Sequence, residues 1–79
     1  MNAMEIIIDK FRLGANLENA IEMSGRSKAD IARQAGIHRT TIDPIMDGRA
    51  LGQLKTFLML CGAIGVEPGK MLEGVVRKK

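Results

Sequence analysis

Ser27-Lys28-Ala29-Asp30-Ile31-Ala32-Arg33-Gln34-Ala35-Gly36-Ile37-His38-Arg39-Thr40-Thr41-Ile42-Asp43-Pro44-Ile45-Met46-Asp47-Gly48 reads as two short helices joined by a tight turn. Ser27 is a helix N-cap, and Asp30, three residues on, is placed to complete a capping box. Ile31, Ala32 and Ala35 fall on one face. Ala32 stands where the helices cross closely, so a larger side chain would push them apart. Gly36 ends the first helix where positive φ is required, a conformation that a Cβ makes costly. Ile37 in the turn, with Ile42 and Ile45 beyond it, fills the space between the pair. Two generic amphipathic helices would not need both Ala32 and Gly36 in this register.

Further helices follow on both sides. Apolar spacing at Leu13, Leu17, Ala20 and Ile21 predicts a first helix over about 13–24. The second starts after Ser27. The third starts near Arg39 and buries Ile42, Ile45 and Met46. A fourth runs from about Gln53 to Ile64, with Leu54, Phe57, Leu58, Cys61 and Ile64 inward. Pro68 suits the first position of a short fifth helix that contributes Met71 and Leu72. Gly25, Gly36, Gly48 and Gly65 each follow an apolar stretch, as left-handed helix ends do. The ends are rich in β-branched residues. Ile6-Ile7-Ile8 suits a strand, pairing with Val75-Val76 or with its own copy in a second subunit, or else an N-terminal extension of the first helix. Val75-Val76-Arg77-Lys78-Lys79 reads as a solvated tail, with a phosphate-tracking tail as the lesser option.

The composition bounds the function. Seventy-nine residues, 46% apolar and 27% charged, make one small globular domain over 1–79, with its core in 13–73. A net charge of +3 permits nucleic-acid binding without requiring it. Cys61 is the sole cysteine, so no intramolecular disulfide forms, and a reducing cytoplasm is the expected location. The longest apolar run, 57–66, falls well short of the ~20 residues a membrane span needs, and the N-terminus lacks a signal-peptide pattern. No nucleophile has a recognisable base, no phosphate-cradling glycine loop precedes a Lys-Ser/Thr pair, and one His with one Cys gives no metal cluster. The expectation is a non-enzyme with no metal, no cofactor and no small-molecule ligand. Cys61 reads as a small core residue.

Taken together, these features resemble the Cro/C1-type (Xre) helix-turn-helix family of phage and bacterial repressors. The likeness covers about 13–73. Asp47-Gly48-Arg49 is similar to that family's loop after its recognition helix, and Glu67-Pro68-Gly69-Lys70-Met71-Leu72 to its last helix. The resemblance implies an all-α, five-helix domain, with short terminal strands as an option, that binds double-stranded operator DNA as a homodimer. It implies base contacts from Arg39 and Thr40, with Asp43 able to accept from a cytosine N4. It implies phosphate contacts from Lys28, His38, Thr41 and the loop Asp47, Gly48 and Arg49. The termini, 1–12 and 74–79, are expected to be extensions or dimer contacts.

Two departures weigh against this. Pro44 would remove a helical N–H and crowd the Thr40 carbonyl, at about 3 kcal/mol in a helix interior. Locally, Asp43-Pro44 resembles a fresh helix start, an N-cap followed by an N1 proline, so the helix is expected to be broken or kinked there, with Ile45 and Met46 on a second short turn. Asp43 and Asp47 also repel phosphate, and between Arg26 and Arg49 five cations face three Asp. The expected function is a sequence-specific transcriptional regulator, a repressor of prophage or plasmid type. The alternative is a degenerate helix-turn-helix that serves as a protein-interaction module, antitoxin-like or anti-repressor, with little DNA affinity.

Overall fold

A computed structural model describes residues 2–79 of the chain. Strand β1 (Ile6–Ile8) is followed by helices α1 (Lys10–Ser24) and α2 (Lys28–Ala35). A 3₁₀ turn (Arg39–Thr41) then leads into α3 (Ile42–Met46), α4 (Leu54–Ile64), α5 (Pro68–Met71) and strand β2 (Val76–Lys78). The fold is mostly helical, with five α-helices and one two-stranded antiparallel sheet.

Helix α1 begins one turn before the expected Leu13. Asp9 caps it, its Oδ1 accepting from the Arg12 N–H at 3.0 Å. That turn, Lys10-Phe11-Arg12, carries no buried residue, so apolar spacing could not reveal it. Inside α1, Gly14 is buried against α3. A Cβ there would lie 2.3 Å from the Met46 carbonyl oxygen and 2.8 Å from that of Ile45. Gly14 thus permits a backbone approach, alongside the small-residue packing at buried Ala32. Gly36, at φ 73°, ends α2 as expected.

The core is a single apolar cluster. Leu13, Leu17 and Ile21 of α1 meet Ile31, Ala32 and Ala35 of α2 and Ile42 and Ile45 of α3. Leu60 and Cys61 of α4, with Met71 and Val75, close it from the other side. Among the described residues no buried side chain is polar or charged, so burial of apolar surface drives the packing without a desolvation penalty. Polar ties lie around the rim. Arg26 donates to the Ala63 carbonyl at 2.6 Å and to Gln34, joining the start of α2 to the end of α4. Asn16 donates to the carbonyls of Met71 and Glu73, holding α1 to the C-terminal segment.

Several residues expected to face inward do not. Leu54 and Leu58 are exposed, and Leu60 is buried in their place; Phe57 and Ile64 are half-buried beside the core. Met46 is also half-buried, and Leu72 is exposed. An apolar stripe at helical spacing reads alike whether it faces its own core or an open surface, and α4 carries one on each side. The C-terminal segment is no solvated tail. Val75 is fully buried, and Val76–Lys78 pairs with β1 in the register Ile6–Lys78, Ile7–Arg77 and Ile8–Val76. The strand reading of Ile6–Ile8 holds, one residue along from the expected Val75-Val76 pairing. The Asp9 N–H donates to the Val75 carbonyl at 2.7 Å and the Lys79 N–H to the Glu5 carbonyl at 3.1 Å.

Candidate nucleic-acid interface

The candidate surface is built by three short segments. The first is the start of α2. Ser27 is in extended conformation, and its Oγ accepts from the Asp30 N–H at 3.1 Å. The reciprocal half of the expected capping box is replaced: the Asp30 carboxylate is held by Arg26 Nε at 2.9 Å and Arg33 Nη2 at 2.7 Å. These two donors lower the Asp30 pKa below its ordinary value. Lys28, the first residue of α2, follows on this edge.

The second segment runs from His38 to Met46. His38 occupies the cap position without capping by its side chain; its Nδ1 instead lies 3.1 Å from Thr40 Oγ1. The Thr41 N–H bonds back to the His38 carbonyl at 3.0 Å, the i to i+3 step of a 3₁₀ turn, and α-geometry starts at Ile42. Pro44 is therefore the third residue of α3. In the first turn of an α-helix the backbone N–H groups lack intrahelical acceptors, so a proline there forfeits no bond. The expected break at Pro44 is not found: the 3₁₀ turn runs directly into α3, and Thr41, Ile42 and Asp47 all keep right-handed helical geometry. Asp43 is a helical residue of α3 and not the cap of a new helix. The Pro44 carbonyl accepts from both the Arg49 and Ala50 N–H groups, which closes the helix end. Buried Ile42 and Ile45 seat this segment on the core, and Arg39 and Thr40 stand exposed at its start. Thr41 is half-buried.

The third segment is the loop Asp47-Gly48-Arg49. Gly48 takes φ +74°, and the Phe11 ring lies over it, where a Cβ would approach to 2.4 Å. Its N–H is donated to the Ile45 carbonyl at 3.2 Å, so this amide serves the loop and is not free for an anion. Asp47 and Arg49 are exposed and paired with each other at 2.8 Å.

The ion pairs give the surface its electrostatic character. Lys28 Nζ meets Asp43 Oδ1 at 2.9 Å across the turn between α2 and α3. That hydrogen bond, then the charges of Lys28, Arg39 and Arg49, hold the Asp43 carboxyl below the ordinary value. All three Asp of the segment are thus engaged: Asp30 by Arg26 and Arg33, Asp43 by Lys28, Asp47 by Arg49. Arg39 alone of the five cations between Arg26 and Arg49 makes no ion pair among the described residues. The sequence showed a surplus of charge; only the fold shows which side chain carries it unpaired.

Two solved structures share this fold. The restriction-modification controller protein C.AhdI from Aeromonas hydrophila superposes with a TM-score of 0.75 at 24% identity, over 80% of this chain and 96% of that one. A hypothetical transcription factor, NHTF from Neisseria, superposes with a TM-score of 0.73 at 25% identity, over 81% of this chain and 74% of that one. The fold is that of Cro/C1-type helix-turn-helix regulators. Neither a family model nor a curated protein matches the chain. In helix-turn-helix terms, α2 is the first helix of the motif, and the 3₁₀ turn with α3 is the second. Among the described residues of this helix-turn-helix domain, no group of three or more His, Cys, Asp or Glu is placed to hold a metal ion. No helix among them is long and apolar enough to cross a membrane.

Proposed function

We propose that this chain is a sequence-specific DNA-binding transcriptional regulator. It acts as a repressor, of the kind found in prophages and plasmids, by occupying a two-fold-related operator as a homodimer. The observation that carries the reading is Arg39: an exposed, unpaired cation at the start of the second motif helix, seated on buried Ile42 and Ile45. A guanidinium there suits bidentate donation to guanine O6 and N7 in the major groove. Thr40 beside it suits a base edge or a thymine methyl, and Asp43 a cytosine N4. Lys28, His38, Thr41 and the Asp47-Gly48-Arg49 loop are assigned to the phosphate backbone, the loop making its contact through the Arg49 side chain and not through the Gly48 amide. The two structural neighbours, a restriction-modification controller and a hypothetical transcription factor, support the regulatory reading. Two copies would present their motif helices to successive major grooves about 34 Å apart.

A second reading draws on the same surface. Lys28 and Arg49 are neutralised by Asp43 and Asp47, and a helix-turn-helix so balanced also suits protein contact. Fluorescence anisotropy with DNA selected from a random pool separates the two. The regulator binds its selected duplex at low salt, and Arg39→Ala weakens that binding by about 1–3 kcal/mol while relaxing selection at one base pair. Absence of binding near 50 mM salt defeats the DNA reading and leaves the protein-interaction module. Equal affinity of the variant and the parent removes Arg39 as the reader.

A further inference from the structure

The face that carries the β1–β2 ribbon is uncovered. Every residue of both strands is exposed, and a two-stranded ribbon with nothing packed on it is marginally stable in water. The ribbon opens onto a larger apolar surface. Cross-strand partners share a face, so Ile8 and Val76 point the same way. Both border a shallow depression of about 200 Å³ that Leu51, Leu54 and Leu72 also line, and no charged residue lines it. Leu58, one turn along α4 from Leu54, extends the stripe. Leu54 is 73% exposed, Leu58 45%, Ile8 51% and Val76 50%.

We infer that a second copy of this chain covers this face, with β1 of one copy pairing antiparallel to β1 of the other about Ile7. The inference rests on the homodimeric reading given above and supplies its interface. Three observations select a copy of the chain as the occupant. The first is area. With Ile6, which shares the face of Ile8, the exposed apolar residues present on the order of 600 Å², about three-quarters of the ~800 Å² that each partner of a stable complex buries. That is at the upper end of what monomers commonly leave open in one patch.

The second observation is the contrast between the two ribbon edges. The outer edge of β2 carries Arg77 and Lys78, the usual protection against strand addition, whereas β1 presents three isoleucines with neither charge nor proline. The third is backbone register. The bonds from Lys79 to Glu5 and from Asp9 to Val75 fix Glu5, Ile7 and Asp9 as the positions of β1 that bond to β2. By the alternation of an antiparallel ladder, the peptide groups of Ile6 and Ile8 point to the free edge. Ile6 of one copy then pairs with Ile8 of the other, and the reverse, as a two-fold axis at Ile7 requires. An axis normal to the sheet leaves both apolar depressions on the same side of the joined four-stranded sheet.

Sedimentation and light scattering on the full chain test the face. The parent is expected to be a dimer. Leu54→Glu is expected to weaken self-association by roughly 30-fold or more, the mark of an interface hot spot. It should leave the helical circular dichroism unchanged, because Leu54 is exposed within one copy. Ile7→Cys tests the strand pairing. Residues at the axis form a close, non-hydrogen-bonded pair with Cα atoms about 4.5 Å apart, within disulfide range. Cys61 is buried, so the introduced thiol is the reactive one, and a covalent dimer is expected on a non-reducing gel. Met23→Cys, at the exposed far end of α1, is expected to give none. A dimer that survives Leu54→Glu overturns this face and leaves the homodimeric reading standing. An Ile7→Cys variant that stays monomeric on that gel overturns the strand pairing. A parent that remains monomeric at high concentration overturns the interface and the homodimeric reading together, while binding to a single half-site keeps the DNA reading separate.

Discussion

Lys28 Nζ and Asp43 Oδ1 lie 2.9 Å apart, joining the first residue of α2 to the second residue of α3. Each belongs to the surface assigned to DNA, and each neutralises the other. A phosphate that reaches Lys28 has to compete with a carboxylate already in place. Asp43→Asn keeps the shape and removes the charge. It is expected to raise affinity for random duplex several-fold and to steepen the slope of log K against log salt by about 0.9, one phosphate's worth. Salt titrations of both proteins on the same duplex check this; an unchanged slope would show that Lys28 does not reach the backbone.

The acid limb of stability follows from the same pair. Asp43 and Asp30 titrate below the ordinary carboxylate value of 3.8, through hydrogen bonds from Lys28 and from Arg26 and Arg33 respectively. A lowered folded-state pKa stabilises the fold above the unfolded value and loses that contribution as pH falls through the folded value. Both pairs are solvent-exposed, so the effect is modest. Their contribution is expected to be full and independent of pH near neutrality, and to be lost below about pH 4. Urea midpoints for the parent and for the Asp30→Asn, Asp43→Asn double variant should therefore differ near neutrality and converge in acid.

Pro44 is harmless where it stands, in the first turn of α3. Pro44→Ala is expected to change stability by no more than about 1 kcal/mol, the loss of unfolded-state restriction that proline provides. A gain near 3 kcal/mol would mean an interior helical proline relieved of strain, contrary to the geometry. Chemical denaturation decides between them. DNA affinity should shift by less than about threefold, an amount below 1 kcal/mol.

Gly14 is the position where a small change should do most harm. Its hydrogen faces the carbonyl oxygens of Ile45 and Met46, and a methyl group there meets backbone, which cannot rotate away. Gly14→Ala gains helix propensity, worth about 1 kcal/mol at an open site, but forces α1 away from α3. Net destabilisation of about 1–3 kcal/mol is expected, as for other overpacked cores. A melt showing Gly14→Ala at or above the parent Tm would mean that the two helices separate easily.

What could be read in the chain and what could not divides along a physical line. Ser27, Ala32, Gly36, Ile37 and Ile42 declare themselves because caps, positive φ and helical spacing are local properties, and the structure uses each as the spacing implied. Gly14 leaves no such trace: a glycine within a helix has ordinary dihedrals, and the helix it touches is about thirty residues away in the sequence. Leu54 and Leu58 misled because apolar spacing marks a buried face without saying what buries it. Pro44 misled because its effect depends on where α-geometry begins, and the 3₁₀ turn moves that start to Ile42. At the candidate interface the residue types were legible from charge and motif. The pairing that leaves Arg39 as the unpaired cation needed α2 and α3 in place.

The bond from Lys79 to Glu5 and the burial of Val75 bring the two ends of the described chain side by side. Any extra polypeptide, whether a purification tag or a fused reporter, departs from the same corner whichever terminus carries it. That corner borders Ile6 and Ile8. Moving a tag from one end to the other therefore gives no relief from steric interference, and a cleavable tag is the appropriate choice for weighing the particle in solution.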